Sequence, residues 1–237
     1  MTAPRSSFRL SGHSMTLDKR RHALRGDLAD VTLAGMTFAP HYAEAVQREC
    51  ALPFLAMYNK PGGDQVSELL AGEGFGLLDV SGGWAWGYSL HDHYVGYVKA
   101  DALNAPSGTK QTAINADAVE AASSFLGMTY VWGGRGGAGI DCSGLIQRGL
   151  AAAGIMAPRD SDMQLAETGS LLADGEALKR ADLIFFPGHV GMMVDADHLL
   201  HATRHYGETV IEPLADVVAR VAAEHPQTIT ARKRLSL

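Results

Sequence analysis

An α+β protein in two parts, a small all-β barrel followed by a domain of helices and then strands, is the fold class that the sequence predicts. Three observations carry it. Between Cys50 and Leu103 short β-prone runs alternate with glycine clusters, the texture of a small barrel. Over Asn115 to Leu126, and again over Cys142 to Ala153, apolar residues recur at helical spacing. Beyond Leu183 the chain returns to short strand-like runs, and helices first with strands afterwards indicate an antiparallel sheet.

The totals bound the function. The chain of 237 residues is long enough for one large domain or two small ones. Its 46% hydrophobic and 19% charged residues are ordinary for a globular protein, and a formal charge of -6 argues against nucleic acid or an anionic membrane as partner. Two cysteines, Cys50 and Cys142, make neither a disulfide framework nor a CxxC site. Residues 1 to 25 hold no apolar run of signal-peptide length, and no stretch approaches a membrane span. A cytoplasmic protein without membrane contact is therefore expected.

Taken in order, residues 1–45 read as a polar, solvated arm partly draped on a domain, with the charge run Asp18-Lys19-Arg20-Arg21-His22 and a short helix near His41 to Glu49. Residues 46–104 carry the expected barrel. Its candidate strands are Leu52 to Tyr58, Phe75 to Val80, Trp84 to Tyr88 and Tyr94 to Val98, punctuated by Gly62-Gly63, Gly72, Gly74 and Gly82-Gly83. Residues 105–112, with Pro106, Ser107 and Gly108, read as a linker, and 113–237 as the second domain. There a helix is expected over Asn115 to Leu126, a second over Cys142 to Ala153 stopped by Gly154, and a shorter one over Asp162 to Glu167. Strands are expected at Leu183 to Phe186, His189 to Val194, Leu199 to Thr203 and Thr209 to Leu214.

Chemistry concentrates at one place. Tyr130-Val131-Trp132-Gly133-Gly134 runs through a glycine-rich loop into Asp141-Cys142-Ser143-Gly144, which sets a cysteine at the first turn of a helix. Unpaired N–H groups there favour a thiolate, a strong nucleophile. The loop is no phosphate cradle, since no GK[ST] follows its glycines. A thiol nucleophile needs a base and a group orienting that base. His189 and His201 are twelve residues apart on two strands joined by the Asp195-Ala196-Asp197 turn. That even separation puts both rings on one side of the sheet, opposite or one diagonal apart. One ring can then accept the Cys142 proton while the other holds its tautomer. The helix bearing Cys142 is expected to pack on that face. Tyr130 either packs into the core or lines the cleft. Zinc is the competing use of His91, His93, His201 and His205, but no four-ligand spacing closes, and no cofactor or metal is expected.

Tyr130-Val-Trp-Gly-Gly, Asp141-Cys-Ser-Gly-Leu, Pro158-Arg-Asp-Ser with Gln164, Asp182-Leu-Ile-Phe-Phe, His189-Val-Gly and His201-Ala follow one another in the order of the NlpC/P60 family of cell-wall peptidases, which this chain resembles. The order Gly72-Glu73, Gly82-Gly83-Trp84-Ala85-Trp86, Tyr94-Val95-Gly96-Tyr97-Val98 and Ala100-Asp101-Ala102-Leu103 similarly resembles bacterial SH3-like domains. The resemblance implies a papain-like α+β catalytic domain behind an SH3-like barrel, with Cys142 as nucleophile, His189 as base and His201 as the third member. It implies hydrolysis of the amide after γ-linked D-glutamate in murein peptides. Members with SH3-like domains include dipeptidyl-peptidase VI-like enzymes, which release L-Ala-γ-D-Glu from meso-diaminopimelate and require a free amino terminus. On that likeness Asp160 and Ser161 line the substrate pocket, Asp160 facing the ammonium. Glu68, Glu73 or Tyr94 of the barrel would close it, and Arg159 would meet the D-Glu carboxylate. Asp141 and Ser143 flank the nucleophile, and the Asp141 side chain is expected to hydrogen-bond N–H groups at the helix start. An amidase or acyltransferase using the same Cys-His-His site, and a non-catalytic wall-peptide-binding module, are the alternatives.

Overall fold

The computed structural model describes residues 17–108 and 116–235. Residues 1–16 of the expected arm, 109–112 of the expected linker and the Asn115 start of the first expected helix lie outside the described residues.

The described part of the arm is folded, which corrects the expectation of a solvated strap. Strand β1 (Leu28–Asp30) pairs in parallel with β2 (His41–Ala43). Ala29, Leu33 and Ala39 are buried between them, with Leu17 and Leu24 packed alongside. Ties to the barrel hold this unit. Val95 donates its N–H to the Arg20 carbonyl at 2.7 Å, and Arg25 pairs with Asp79 at 2.8 Å while lying over the Trp86 ring. No helix forms near His41. The segment instead continues into β3 (Val46–Cys50), which pairs with a strand on either side. A strand between two partners satisfies its backbone groups through the sheet, and this outweighs local helix propensity.

The remaining barrel strands are β4 (Phe54–Tyr58), β5 (Gln65–Leu70), β6 (Gly74–Ser81), β7 (Trp84–Ser89), β8 (Val95–Lys99) and β9 (Leu103–Asn104). They form one antiparallel sheet in the order β5-β4-β8-β7-β6-β3-β9. Alternate residues, Leu55, Met57, Leu69, Phe75, Ala85 and Val98, fill its core. The core also takes in Met163, which belongs to the second domain. Burial of such a side chain contributes about 1.5–3 kcal/mol, so the two domains share apolar packing. Gly87 marks the closest approach inside the sheet, since a Cβ there would meet the Gly76 carbonyl oxygen at 1.9 Å.

The second domain begins with α1 (Ala118–Ser123), capped by Asp117. Then come α2 (Cys142–Ala152), α3 (Ser161–Glu167), and the strands β10 (Ser170–Leu171), β11 (Leu183–Phe186), β12 (His189–Met193), β13 (His198–Thr203) and β14 (Glu208–Pro213). Helix α4 (Leu214–Ala222) and β15 (Ala231–Arg234) follow, and neither was expected from the sequence. The sheet is antiparallel in the order β10-β15-β11-β12-β13-β14. Its side chains alternate cleanly between two layers. Leu183, Phe185, Val190, Met192, Leu200 and Ala202 pack against Leu145, Ile146 and Leu150 of α2. Ile184, Phe186, Met193 and Leu199 pack against Val217 of α4.

Candidate active site

Helix α2 presents Cys142 as its first residue, and the Asp141 carboxylate caps it by accepting the Gly144 N–H at 2.7 Å. The other Asp141 oxygen accepts the Gly133 N–H at 2.8 Å, so one carboxylate ties the glycine-rich loop to the helix start. The approach is close: a Cβ on Gly144 would sit 2.3 Å from the Gly134 carbonyl oxygen. Arg159 neutralises Asp141 through contacts of 2.7 and 3.0 Å. Cys142 itself is only 5% exposed. Burial, with the Asp141 charge added, pushes its thiol up to about 12, against the Val190 N–H and Arg159 that favour the thiolate. Burial and the Asp141 charge thus work against the thiolate that a helix start favours.

The two histidines meet as the spacing implied. His189 Nε2 lies 2.8 Å from His201 Nδ1. The ladder Met192↔Leu200, continued by one step, sets His201 across from Gly191, one diagonal from His189. Their face differs from the expectation. His189 is paired with Phe186, and Leu199 with Glu212, so both rings rise on the α4 side, while α2 packs on the other. Cys142 lies at the helix end beside the first residues of β12, where Val190 donates its N–H toward the sulfur. No direct hydrogen bond joins Cys142 to His189 among the described residues. Such contacts are often long in free enzymes and shorten when substrate is bound.

A residue that sequence reading missed completes the histidine chain. His201 Nε2 lies 2.9 Å from Glu212 Oε1, and Glu212 is clamped by Arg220 of α4, with Tyr206 beside it. Burial works to raise the Glu212 carboxyl, but Arg220 and His201 bring it below its ordinary value. An ionised carboxylate only accepts, so His201 carries its proton on Nε2 and offers the Nδ1 lone pair to the His189 Nε2–H. His189 Nδ1 is then the free basic nitrogen. Burial, followed by the His201 and Arg220 charges, lowers His189 to about 3, and burial lowers His201 as well. The pair rests neutral.

A cleft of about 320 Å³ opens on Cys142 and is lined by Arg20, Val66, Tyr94, Trp132, Ser161 and Gly188 together with Asp141, Ser143, Asp160 and Asp162. Asp160 Oδ2 accepts the Tyr94 hydroxyl at 2.9 Å, so a barrel residue and a residue of the second domain form one wall. Tyr130 lies close enough to Cys142 that the sulfur's charge, after burial, helps raise its phenol to about 12. It packs on the core and is not among the residues that line the cleft. Ser161 opens α3 in the same cleft.

Three expected substrate contacts fall elsewhere. Arg159 is 1% exposed and bonded to Asp141, Ser143, Ser67 and the Gly134 carbonyl, so it builds the site floor and has no free face for a carboxylate. The same bonds occupy the Ser143 hydroxyl. Glu73 is buried against Arg135 at 2.6 Å and borders a larger cavity of about 740 Å³ on the far side of α2, which contains none of Cys142, His189 and His201. Glu68 accepts the Arg135 and Gly137 N–H groups and so braces the glycine-rich loop. Among the barrel candidates only Tyr94 reaches the cleft. Among the described residues no cluster of three or more His, Cys, Asp or Glu side chains is arranged to hold a metal ion, and no helix is long and apolar enough to cross a membrane.

Residues 127–222 match the NlpC/P60 family, and residues 57–103 match the bacterial dipeptidyl-peptidase Sh3 domain. A gamma-D-glutamyl-L-lysine dipeptidyl-peptidase of Bacillus cereus is 34% identical over 106 residues, covering 41% of this chain and 31% of that protein. Dipeptidyl-peptidase 6 of Lysinibacillus sphaericus is 28% identical over 141 residues, covering 58% and 51%. The chain thus spans about a third to a half of the length of these curated relatives. A solved NlpC/P60 family protein from Bacillus cereus aligns over 79% of this chain and 62% of its own, with 22% identity and a TM-score of 0.42.

Proposed function

We propose that this chain, which carries an NlpC/P60 domain behind a bacterial dipeptidyl-peptidase SH3 domain, is a cysteine peptidase acting on peptidoglycan peptides. The bond cut is the amide between γ-D-glutamate and a diamino acid, meso-diaminopimelate or L-lysine, in peptides with a free amino terminus. The observation that carries this reading is a cleft lined both by Cys142 and by the Asp160 carboxylate with its Tyr94 partner.

In the reaction His189 Nδ1 takes the Cys142 proton as the sulfur attacks the γ-carbonyl carbon. Neutral thiol and neutral imidazole become thiolate and imidazolium together, and His201 with Glu212 stabilises the new positive charge. The oxyanion forms beside the Cys142 N–H, one of the groups that a helix start leaves without an intrahelical acceptor. Collapse breaks the C–N bond, and the amine of the diamino acid leaves with the proton from His189. Water, deprotonated by the same imidazole, hydrolyses the thioester and restores the thiol. Asp160 receives the substrate ammonium through a charge-assisted hydrogen bond. Arg204, 4.9 Å from the Trp132 ring and without a carboxylate partner among the described residues, is the cation placed to meet a substrate carboxylate in place of Arg159. Recycling of murein peptides in the cytoplasm is the setting proposed for this activity, and cell fractionation tests it.

Mass spectrometry of L-Ala-γ-D-Glu-meso-diaminopimelate, its L-lysine counterpart and N-acetylated copies, with wild type, Cys142→Ala and Asp160→Asn, tests the reading. Cleavage after D-Glu is expected from wild type and not from Cys142→Ala. Asp160→Asn is expected to lose the preference for the free amine. Equal cleavage of blocked and free peptides by wild type would remove Asp160 from the reading, and no cleavage of either would sink the peptidase.

A further inference from the structure

We infer that Arg20, from the N-terminal arm, is a positioning residue of the substrate-amine site, acting through Asp160. The inference rests on the reading of Asp160 as the carboxylate that receives the substrate ammonium.

Arg20 is held in place from both ends. Its carbonyl accepts the Val95 N–H of the barrel at 2.7 Å. Its guanidinium is gripped from behind by Asp18, at 2.7 Å from Nη2 and 3.1 Å from Nε. The forward edge of the guanidinium meets Asp160 Oδ2 at 2.8 Å and the two Asp162 oxygens at 3.0 and 2.8 Å. All five N–H donors are thereby used. Arg21, paired with Glu167, fixes the next residue of the arm to α3. Arg20 is thereby one of the residues that line the cleft.

The consequence falls on Asp160. Arg20 and Tyr94 both bind Oδ2, and the side chain makes no capping bond to its own helix. Oδ1 is left without a partner among the described residues, in a cleft shared with Cys142. Two donors from two different parts of the chain thus fix the carboxylate plane and leave one oxygen for the incoming amine. The groups around Asp160 are Asp18 and Arg20 of the arm, Tyr94 of the barrel, Arg159 and Asp162 on its own segment, and Asp141 and Cys142 at α2. Burial pushes the Asp160 carboxyl up, while Arg159, Tyr94 and Arg20 oppose that rise. Arg159 is already committed to Asp141, so Arg20 is the direct ionic partner of Asp160. The Asp18, Asp160 and Asp162 carboxylates outnumber the one guanidinium, so the cluster stays anionic and still attracts an ammonium.

The test is steady-state kinetics of the full chain on the free-amine tripeptides, across the acidic limb of kcat/KM, for wild type, R20Q and R20K. For R20Q we expect KM to rise about tenfold near neutral pH with little change in kcat, and the acidic limb to move to higher pH, because Asp160 then protonates more easily. R20K should recover part of both effects. Unchanged KM and an unchanged limb in a folded R20Q would overturn the proposal. So would a fall in KM, which would make Arg20 a plug that competes with the amine. If R20Q fails to fold, Asp18→Asn, which removes a carboxylate competing with Asp160 for the same guanidinium, must move the limb to lower pH; no movement, or movement to higher pH, overturns the proposal equally. Wild type cleaving no γ-D-glutamyl peptide would instead sink the functional reading, and this inference with it.

Discussion

The Nε2 of His201 and the Oε1 of Glu212 stand 2.9 Å apart on neighbouring strands, both buried, with Arg220 closing over the carboxylate. That contact decides which nitrogen of His201 carries its proton, and through it which nitrogen of His189 is basic. Glu212→Gln should therefore lower kcat by about 10- to 100-fold with KM little changed, since a partner one step behind a reactive imidazole sets its tautomer and charge. Kinetics on the free-amine tripeptide check it, and an unchanged kcat would show that the histidine pair orients itself.

Cys142 and His189 should rest as a neutral pair. The thiol is pushed up to about 12 and the imidazole down to about 3, burial being the largest cause in each case. Between those values the resting enzyme holds thiol and free base. The difference in thiolate absorbance between wild type and Cys142→Ala is expected to be absent at about pH 7, and alkylation of Cys142 should still be rising with pH above the ordinary thiol range. A thiolate signal already present in mild acid would contradict the neutral pair.

The same lowering of His189 sets a stability trend. Its folded value lies below the unfolded value of 6.5, so the unfolded chain takes up the proton first as pH falls. Stability is expected to be fully present above that unfolded value and to drain away as pH drops toward the folded one. Urea denaturation of wild type and His189→Gln across this range checks the sign, the variant losing less.

Arg159→Ala should destabilise the fold before it alters substrate affinity. Its guanidinium is buried in an ion pair with Asp141 at 2.7 Å, and removing one partner of such a pair costs about 3–5 kcal/mol. Denaturant midpoints measure the loss. A stable variant with a raised KM would return Arg159 to carboxylate recognition.

Gly144→Ala should disturb nucleophile and loop together. The new methyl group would press on the Gly134 carbonyl oxygen, a backbone atom with little room to yield, and overpacking of this kind costs about 1–3 kcal/mol. A lower melting temperature with a lower kcat is expected, whereas a neutral result would mean the loop shifts freely.

Much of this site is written locally. A cysteine after Asp141, behind a glycine loop and ahead of an apolar-periodic helix, can be read in one short stretch. The even spacing of His189 and His201 is equally local, because side chains on paired strands repeat every two residues. Parity does not say which face, however. Only the packing of α2 against Val190 and Leu200 sends the two rings to the α4 side, where Glu212 and Arg220 meet them.

The sequence by itself determined the fold class, the succession of strands from β11 to β14, and the even spacing that brings His189 and His201 together, because periodicity, capping and turn chemistry act over a few residues. The tertiary structure alone decided three further things. It brought Arg20 to Asp160 across 140 residues of chain, buried Arg159 as a brace, and set the burial of Cys142 against the thiolate that its helix start favours. Each depends on which surfaces are taken out of water and against what charge, and burial belongs to the assembled chain and to no single segment of it.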